Sequence, residues 1–273
     1  MPESTPLMSA AARFKARLDS RDIIAAPGAP DALSARLVAA AGFEAIYMTG
    51  LGATAVRLGQ PDLGLMTQTE MADHARSLVR ATRTPIIADA DTGYGGPLNV
   101  RRTVDEYVQA GVAAMHLEDQ EMPKQCGQLT GARLVSLGAG ALRVKAAADA
   151  RAEAGGDLTI IGRTDALQTE GLAAAADRAH AYFDAGADLV FVDGVKTRAE
   201  VEGIAEQVHA PKVISLVDGT DAASLTLVEL QEMEFSVALY AVTALFAAAS
   251  ATQAALKHLH DQSRLAGRDS QHL

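Results

Sequence analysis

The sequence predicts a (β/α)8 TIM barrel with an extra C-terminal helix, and three observations predict it. Short apolar, β-prone runs alternate with helical patterns eight times along the chain, and strict alternation implies a parallel sheet. One turn recurs: Ala41-Gly42, Ala110-Gly111 and Ala185-Gly186 each close a helical pattern and lead into an apolar run, as a glycine after a helix end does before a buried strand. The 273 residues, 49% of them hydrophobic, match a single α/β barrel, which typically has roughly 250 residues. The chain therefore reads as one domain over 1–273, with the barrel at 20–241 and a helical extension at 242–273. The alternative is a doubly wound open sheet, but no Gly-x-Gly-x-x-Gly follows the first apolar run.

Taken in order, strands are expected near 22–26, 45–49, 85–89, 112–118, 158–163, 188–193, 212–217 and 235–240. Helices are expected between them, among others at 32–41, 69–80, 100–110, 142–154 and 172–185. Met1 to Ala10 lacks a signal-peptide core and reads as a frayed lead-in. The Ala-rich stretch 242–262 is a helix beyond the barrel's needs, expected to pack on a neighbouring subunit.

Barrel enzymes build their sites where the strands end, and polar residues gather there. Strand 2 ends in Tyr47-Met48-Thr49-Gly50-Leu51-Gly52, strand 3 in Asp89-Ala90-Asp91, and strand 4 in His116-Leu117-Glu118-Asp119. Strand 5 ends in Gly162-Arg163-Thr164-Asp165, strand 6 in Asp193-Gly194, and strand 7 carries Ser215. Asp89 and Asp91, two apart on a strand, are expected to project together. Paired carboxylates call for a cation, and oxygen-only ligands favour a hard one such as Mg²⁺. Glu118 reaches the same ion directly or through water. His116 reads as a hydrogen-bonded core histidine rather than a ligand. Asp119 and Asp165 cap helices or hold loops. Arg163 is costly to bury without anions. It serves either as a clamp on a substrate carboxylate or oxyanion, or as a salt-bridge partner of the rim acids. Gly50 and Gly52 are expected to free backbone N–H groups for an anion.

The loop after strand 4 reads Glu121-Met122-Pro123-Lys124-Gln125-Cys126-Gly127-Gln128-Leu129-Thr130-Gly131-Ala132-Arg133. It is long for a βα connection and is expected to be a lid. Cys126 lies on a polar loop, where Lys124 is expected to favour its thiolate, and a thiol on a closing lid can deliver or remove a proton.

Composition excludes some functions. Net charge is −10, which argues against a nucleic-acid surface. No apolar run approaches the ~20 residues of a membrane span. One cysteine allows no internal disulfide, so a reducing cytoplasm is expected.

Together these motifs resemble the isocitrate lyase / phosphoenolpyruvate mutase superfamily, in its methylisocitrate lyase / dimethylmalate lyase-like branch, from about Pro27 to the tail. The carriers are Tyr-Met-Thr-Gly at 47–50, Leu-Gly-Gln-Pro-Asp-Leu-Gly at 58–64, Asp-Ala-Asp-Thr-Gly-Tyr-Gly at 89–95 and Leu-Glu-Asp-Gln at 117–120. Pro-Lys-Gln-Cys-Gly at 123–127, Gly-Arg-Thr-Asp-Ala at 162–166 and Glu-Gly-Leu at 170–172 complete the set. The resemblance implies a Mg²⁺-dependent enzyme (Mn²⁺ as the substitute ion) acting on a small carboxylate, in a homotetramer that exchanges C-terminal helices. It assigns Asp89, Asp91 and Glu118 to the metal and Asp62 to its neighbourhood. Tyr47, Thr49, Gly50 and Leu51 fall to the substrate's carboxylate and hydroxyl, and Arg163 to the oxyanion. Lys124, Gly127, Gln128, Asp193 and Ser215 fall to the rest of the substrate pocket, and Cys126 to the proton donor of the carbon–carbon lyases. The implied reaction splits a 2-hydroxy di- or tricarboxylate into pyruvate or glyoxylate plus a carboxylic acid, with Tyr47 assisting hydroxyl deprotonation and Cys126 protonating the departing fragment. Gln125 and Gln128 stand where the lyases carry arginine and histidine, Asp193 for a glutamate and Ser215 for an asparagine. Those changes point to a smaller or less charged substrate, of the alkylmalate type. The alternatives on the same site are oxaloacetate decarboxylation, hydrolysis of a C–C or C–P bond in a 2-oxo acid, and metal-dependent binding of a 2-oxo acid without turnover.

Overall fold

The computed structural model describes residues 8–129 and 131–264. The lead-in expected before Met8, Thr130 of the loop, and the extension beyond Arg264 lie outside the described residues. The strands are β1 (Ile24–Pro27), β2 (Ile46–Met48), β3 (Ile86–Asp89), β4 (Ala114–Leu117), β5 (Thr159–Thr164), β6 (Leu189–Val192), β7 (Lys212–Leu216) and β8 (Phe235–Tyr240). The helices are α1 (Ala10–Asp19), α2 (Ala32–Ala40), α3 (Gly50–Leu58), α4 (Gln68–Ala81), α5 (Pro97–Ala110), α6 (Leu137–Glu153), α7 (Leu172–Asp184), α8 (Arg198–Gln207), α9 (Leu227–Glu232) and α10 (Thr243–Gln262).

All the strand pairs are parallel, in the order β1-β8-β7-β6-β5-β4-β3-β2. A single parallel bridge between Gly28 and Tyr47 joins the two ends of that ribbon, so the sheet closes into the expected barrel. The recurring turn does what its sequence promised. Gly42, Gly111 and Gly186 take φ of 89°, 84° and 107°, the left-handed region where a side chain is strained, and each sends the chain from a helix into a strand. Helix starts are fixed by side chains. Asp31 accepts from Ser34 N at 2.7 Å, while Thr67 with Glu70, Thr197 with Glu200 and Thr226 with Glu229 form reciprocal capping boxes.

Alternation along the strands divides the core. Ile24, Ala26, Tyr47, Ile87, Ala114, Ile161, Phe191, Val213, Val237 and Leu239 fill the barrel interior, with Phe14 of α1 packed among them. Outward-facing residues such as Ile46, Met48, Ile160, Val190 and Ile214 pack under the helices in two larger clusters. By the same alternation Ser215 faces inward beside Val213. The helix at the end of the chain differs from the rest: α10 runs twenty residues with none buried, and Phe246, Leu256 and Leu259 are exposed.

Candidate active site

The strand ends converge as expected, but by local geometry that differs from the sequence reading at several points. Asp89 is the last residue of β3 and pairs in register with His116 of β4. Asp91 is not on the strand at all. It sits in a left-handed turn, φ 46°, which folds its N–H back onto Asp89 Oδ1 at 2.9 Å. The turn, not the strand period, brings the two carboxylates together. Asp89 Oδ2 takes the N–H of Gly50 at 3.0 Å. The expectation that Gly50 offers a free anion-binding N–H is thus corrected, since that donor is spent on Asp89. Gly52 is likewise a packing glycine: a side chain there would strike Thr49 and Pro30. Thr49 is buried at the start of α3, and Leu51 is half-buried beside it.

Tyr47 and His116 form a buried pair, Oη to Nε2 2.9 Å. Burial pushes the imidazole down to about 4, so it is neutral near pH 7, and burial lifts the phenol well above its ordinary value. His116 is the core histidine the sequence suggested, and its bond orients Tyr47.

Lys124 corrects a second expectation. Its ammonium does not serve Cys126. It stands 2.7 Å from Asp62 Oδ1 and 2.6 Å from Asp91 Oδ1, buried with both. Cys126 is left without that cation, and burial pushes its thiol up to about 11. The group on the lid is a neutral thiol, a proton donor rather than a ready thiolate.

Arg163 shows the ion-pairing side of its two readings. Its Nη2 lies 3.2 Å from Glu118 Oε2, 2.9 Å from Asp165 Oδ1 and 2.8 Å from Asp193 Oδ2, with the guanidinium 5.4 Å from the Phe191 ring centre. Three acids share one arginine, and burial raises Asp193 and Glu118 above the usual carboxylate range. Both Glu118 oxygens are buried without a hydrogen-bond donor, as is Asp91 Oδ1, whose contact with Lys124 is off-line. Burial, with Asp89 and Asp62 nearby, lifts Asp91 to about 6. Buried carboxylate oxygens without donors are costly, and they are the atoms a hard divalent cation takes up, often keeping part of its water shell. Asp89, Asp91 and Glu118 therefore fit such an ion by their chemistry. Among the described residues no three acid, histidine or cysteine side chains are gathered closely enough to hold an ion by themselves.

The long loop lies shut over this cluster. Cys126 N bonds Asp62 O at 3.1 Å, and Gln120 bonds the Gln125 backbone through both ends of its amide. Gly127 rests on the arginine cluster, where an added Cβ would lie 2.5 Å from Asp193 Oδ2 and 2.7 Å from Arg163 Nη2. Gly127→Ala is accordingly expected to hold the lid ajar and lower kcat by about 100-fold, a cost typical of misplacing reacting groups by about 1 Å. An unchanged unfolding midpoint beside that kinetic loss separates the effect from instability. Gln128 is half-buried with its Nε2 unpartnered, and Ser215 is buried and inward-facing.

The sequence reading missed one supporting network. Asp119 accepts from Thr164 Oγ1 (2.7 Å), Asp165 N (3.0 Å), Tyr182 Oη (2.7 Å) and Arg178 Nη1 (3.1 Å). Arg178 also forks onto Glu170 at 2.9 and 3.0 Å. An arginine on the buried face of α7, beside Ala175 and Ala179, was the signal available. Arg178→Met leaves a buried acid uncompensated and is expected to cost about 3 kcal/mol, read by denaturant unfolding.

A parallel barrel whose strand ends hold donor-starved carboxylates, a buried arginine and a thiol under a shut loop is the architecture of a barrel enzyme for a small anionic substrate. Comparison with known proteins places it further. A model of the family described as phosphoenolpyruvate phosphomutase matches residues 14–260, and the chain belongs to that family. It is 41% identical over 244 residues to 2,3-dimethylmalate lyase of Eubacterium barkeri, covering 89% of this chain and 84% of that protein. It is 40% identical over 250 residues to 2-methylisocitrate lyase of Halalkalibacterium halodurans, covering 92% and 82%. A crystal structure of 2,3-dimethylmalate lyase, a member of the PEP mutase/isocitrate lyase superfamily, superposes with a TM-score of 0.91 at 38% identity, covering 98% and 90% of the two chains. The family depends on a divalent metal.

Proposed function

We propose that this chain splits the C2–C3 bond of a 2-hydroxy dicarboxylate of the alkylmalate type, releasing pyruvate or glyoxylate and a carboxylic acid. It is a carbon–carbon lyase, as are its relatives at about 40% identity. The observation that carries the substrate assignment is a neutral thiol, Cys126, on a lid where its near neighbour Gln128 is uncharged. With Ser215 also neutral, the two cations described at the site are already matched by acids, Arg163 by three and Lys124 by two, which leaves no free one for a third carboxylate.

The chemistry follows from the residues. Asp89, Asp91 and Glu118 would hold a divalent ion, Mg²⁺ or Mn²⁺, in part through water. When bound, that ion draws charge from the substrate's carboxylate and hydroxyl. Tyr47 Oη takes up the hydroxyl proton as it passes its own to His116 Nε2, 2.9 Å away. The C–O electrons form the 2-oxo carbonyl, the C2–C3 pair leaves with the carboxylate-bearing fragment, and Cys126 gives that carbon a proton. Arg163 offsets the charge that develops on oxygen. The lid keeps water from the carbanion while it exists. The test is 2-oxo acid release from a panel of 2-hydroxy di- and tricarboxylates with Mg²⁺. Activity confined to alkylmalates supports the assignment. Equal turnover of tricarboxylates overturns it, and consumption of oxaloacetate alone moves the chain to decarboxylation or hydrolysis.

The unburied helix α10 supports packing of this helix on a neighbouring subunit, and the assembly we propose is a cytoplasmic homotetramer. Light scattering on the full chain is expected to give four times the 28.4 kDa chain mass, and a monomer at micromolar concentration refutes it. No helix among the described residues is long and apolar enough to cross a membrane.

A further inference from the structure

A groove of about 1020 Å³ lies at the end of the barrel opposite the catalytic rim. It is lined by the segments that lead into β5, β6, β7 and β8, together with α1. One of its lining residues breaks a rule that the rest of the chain keeps. Each other buried cation is matched by acids: Lys124 by Asp62 and Asp91, Arg163 by Glu118, Asp165 and Asp193, and Arg178 by Asp119 and Glu170. Lys212, at the first position of β7, is only 3% exposed, and its side chain makes no ion pair or hydrogen bond to any described residue. Its ammonium lies 5.5 Å from the Phe235 ring centre, and Glu234 is the acid that acts on it from a distance. Partial burial lowers its affinity for a proton.

We propose that this groove binds an amphipathic monocarboxylate, its head paired with Lys212 and its apolar body against Phe183 and Leu18. The single unmatched ammonium sets the head group at one negative charge. Asp19, Asp157, Glu232 and Glu234 also line the groove and repel a more highly charged anion, although Lys15 and Arg21 offset part of that field. Asp188 is tied to Arg151 and to Ile160 N, so it does not compete for Lys212. The apolar body has surface to meet: Leu18, Phe183 and Pro211 line the same groove, and Phe183 is 41% exposed. A carboxylate on this ammonium makes a charge-assisted bond, stronger than a neutral hydrogen bond. The site shares no residue with the catalytic cluster and stands independently of the reaction assigned there.

The probe is octanoate, titrated calorimetrically into the full-length protein with excess pyruvate and Mg²⁺ present to occupy the catalytic end. Saturable binding is expected, weakened at least tenfold in Lys212→Met and held within threefold in Lys212→Arg. Octanol and inorganic phosphate are each expected to bind at least tenfold more weakly than octanoate. A second readout needs no variant. Saturating octanoate is expected to slow reductive methylation of Lys212 at least tenfold in the wild type, leaving Lys145 and Lys257 unchanged. Absence of saturable binding, equal binding by Lys212→Met, octanol or phosphate matching octanoate, or no protection of Lys212 overturns the proposal.

Discussion

Cys126→Ala is expected to lower 2-oxo acid release by at least about 10³-fold while leaving the fold and metal binding intact. General acid catalysis contributes typically about 10² to 10⁴ in rate, and neither Lys124 nor Gln128 beside it on the lid replaces the thiol. Lys124 is engaged with Asp62 and Asp91, and Gln128 is an amide. Cys126→Ser is expected to be nearly as poor, because a hydroxyl is a far weaker acid than a thiol. The pH profile carries the sign of the argument. A donor must be protonated, and burial holds this thiol up at about 11. Its contribution is therefore full through neutral pH and is lost as pH rises through about 11. A rate that instead rose through pH 8–9 would mean that the thiolate is the working form. Turnover retained in Cys126→Ala would remove the lyase assignment and favour a reaction whose leaving group needs no proton from the protein.

The misdirected reading of Lys124 shows where sequence stops being legible. Two positions from Cys126, it was expected to act on the thiol. Yet loop side chains follow no period, and its ammonium is drawn to two buried acids from β3's turn and the loop before α4. The parts that were legible obey periodic rules. Gly42, Gly111 and Gly186 mark strand entries because only left-handed turns fit there, and Asp89, Glu118 and Arg163 stand out as charges ending apolar runs. Helix α6 begins at Leu137 rather than at the expected 142 because Gly138 and Gly140 disguise its first turn. Gly140 is required there by contact, since any side chain would meet the Tyr182 hydroxyl. The Asp119–Arg178 pair spans 59 positions, a distance over which one sequence carries no pairing signal. Gly50 was misread for a related reason: its small size was visible, but the carboxylate that consumes its N–H comes from another strand.

Removal of divalent metal by EDTA is expected to lower turnover by at least about 10³-fold, equivalent to about 4 kcal/mol of transition-state stabilisation, with recovery on adding Mg²⁺ or Mn²⁺. The pH dependence of that recovery tests the ligand set. Burial lifts Asp91 to about 6 and raises Glu118 well above the usual carboxylate range when no cation is bound. A carboxylate must give up its proton to take a metal, so binding releases protons and tightens as pH rises through about 6. Below that pH, apparent affinity is expected to fall about tenfold per unit for each proton displaced. Asp91→Asn is expected to weaken metal binding and remove its share of the pH dependence, leaving that of Glu118. Calorimetry in buffers of different ionisation heat counts the protons directly. If the metal bound with no proton release, Asp91 would not be a ligand. If activity survived EDTA, Lys124 and Arg163 would be the cations left to stabilise the developing charge, and Lys124→Met would then be the more damaging substitution.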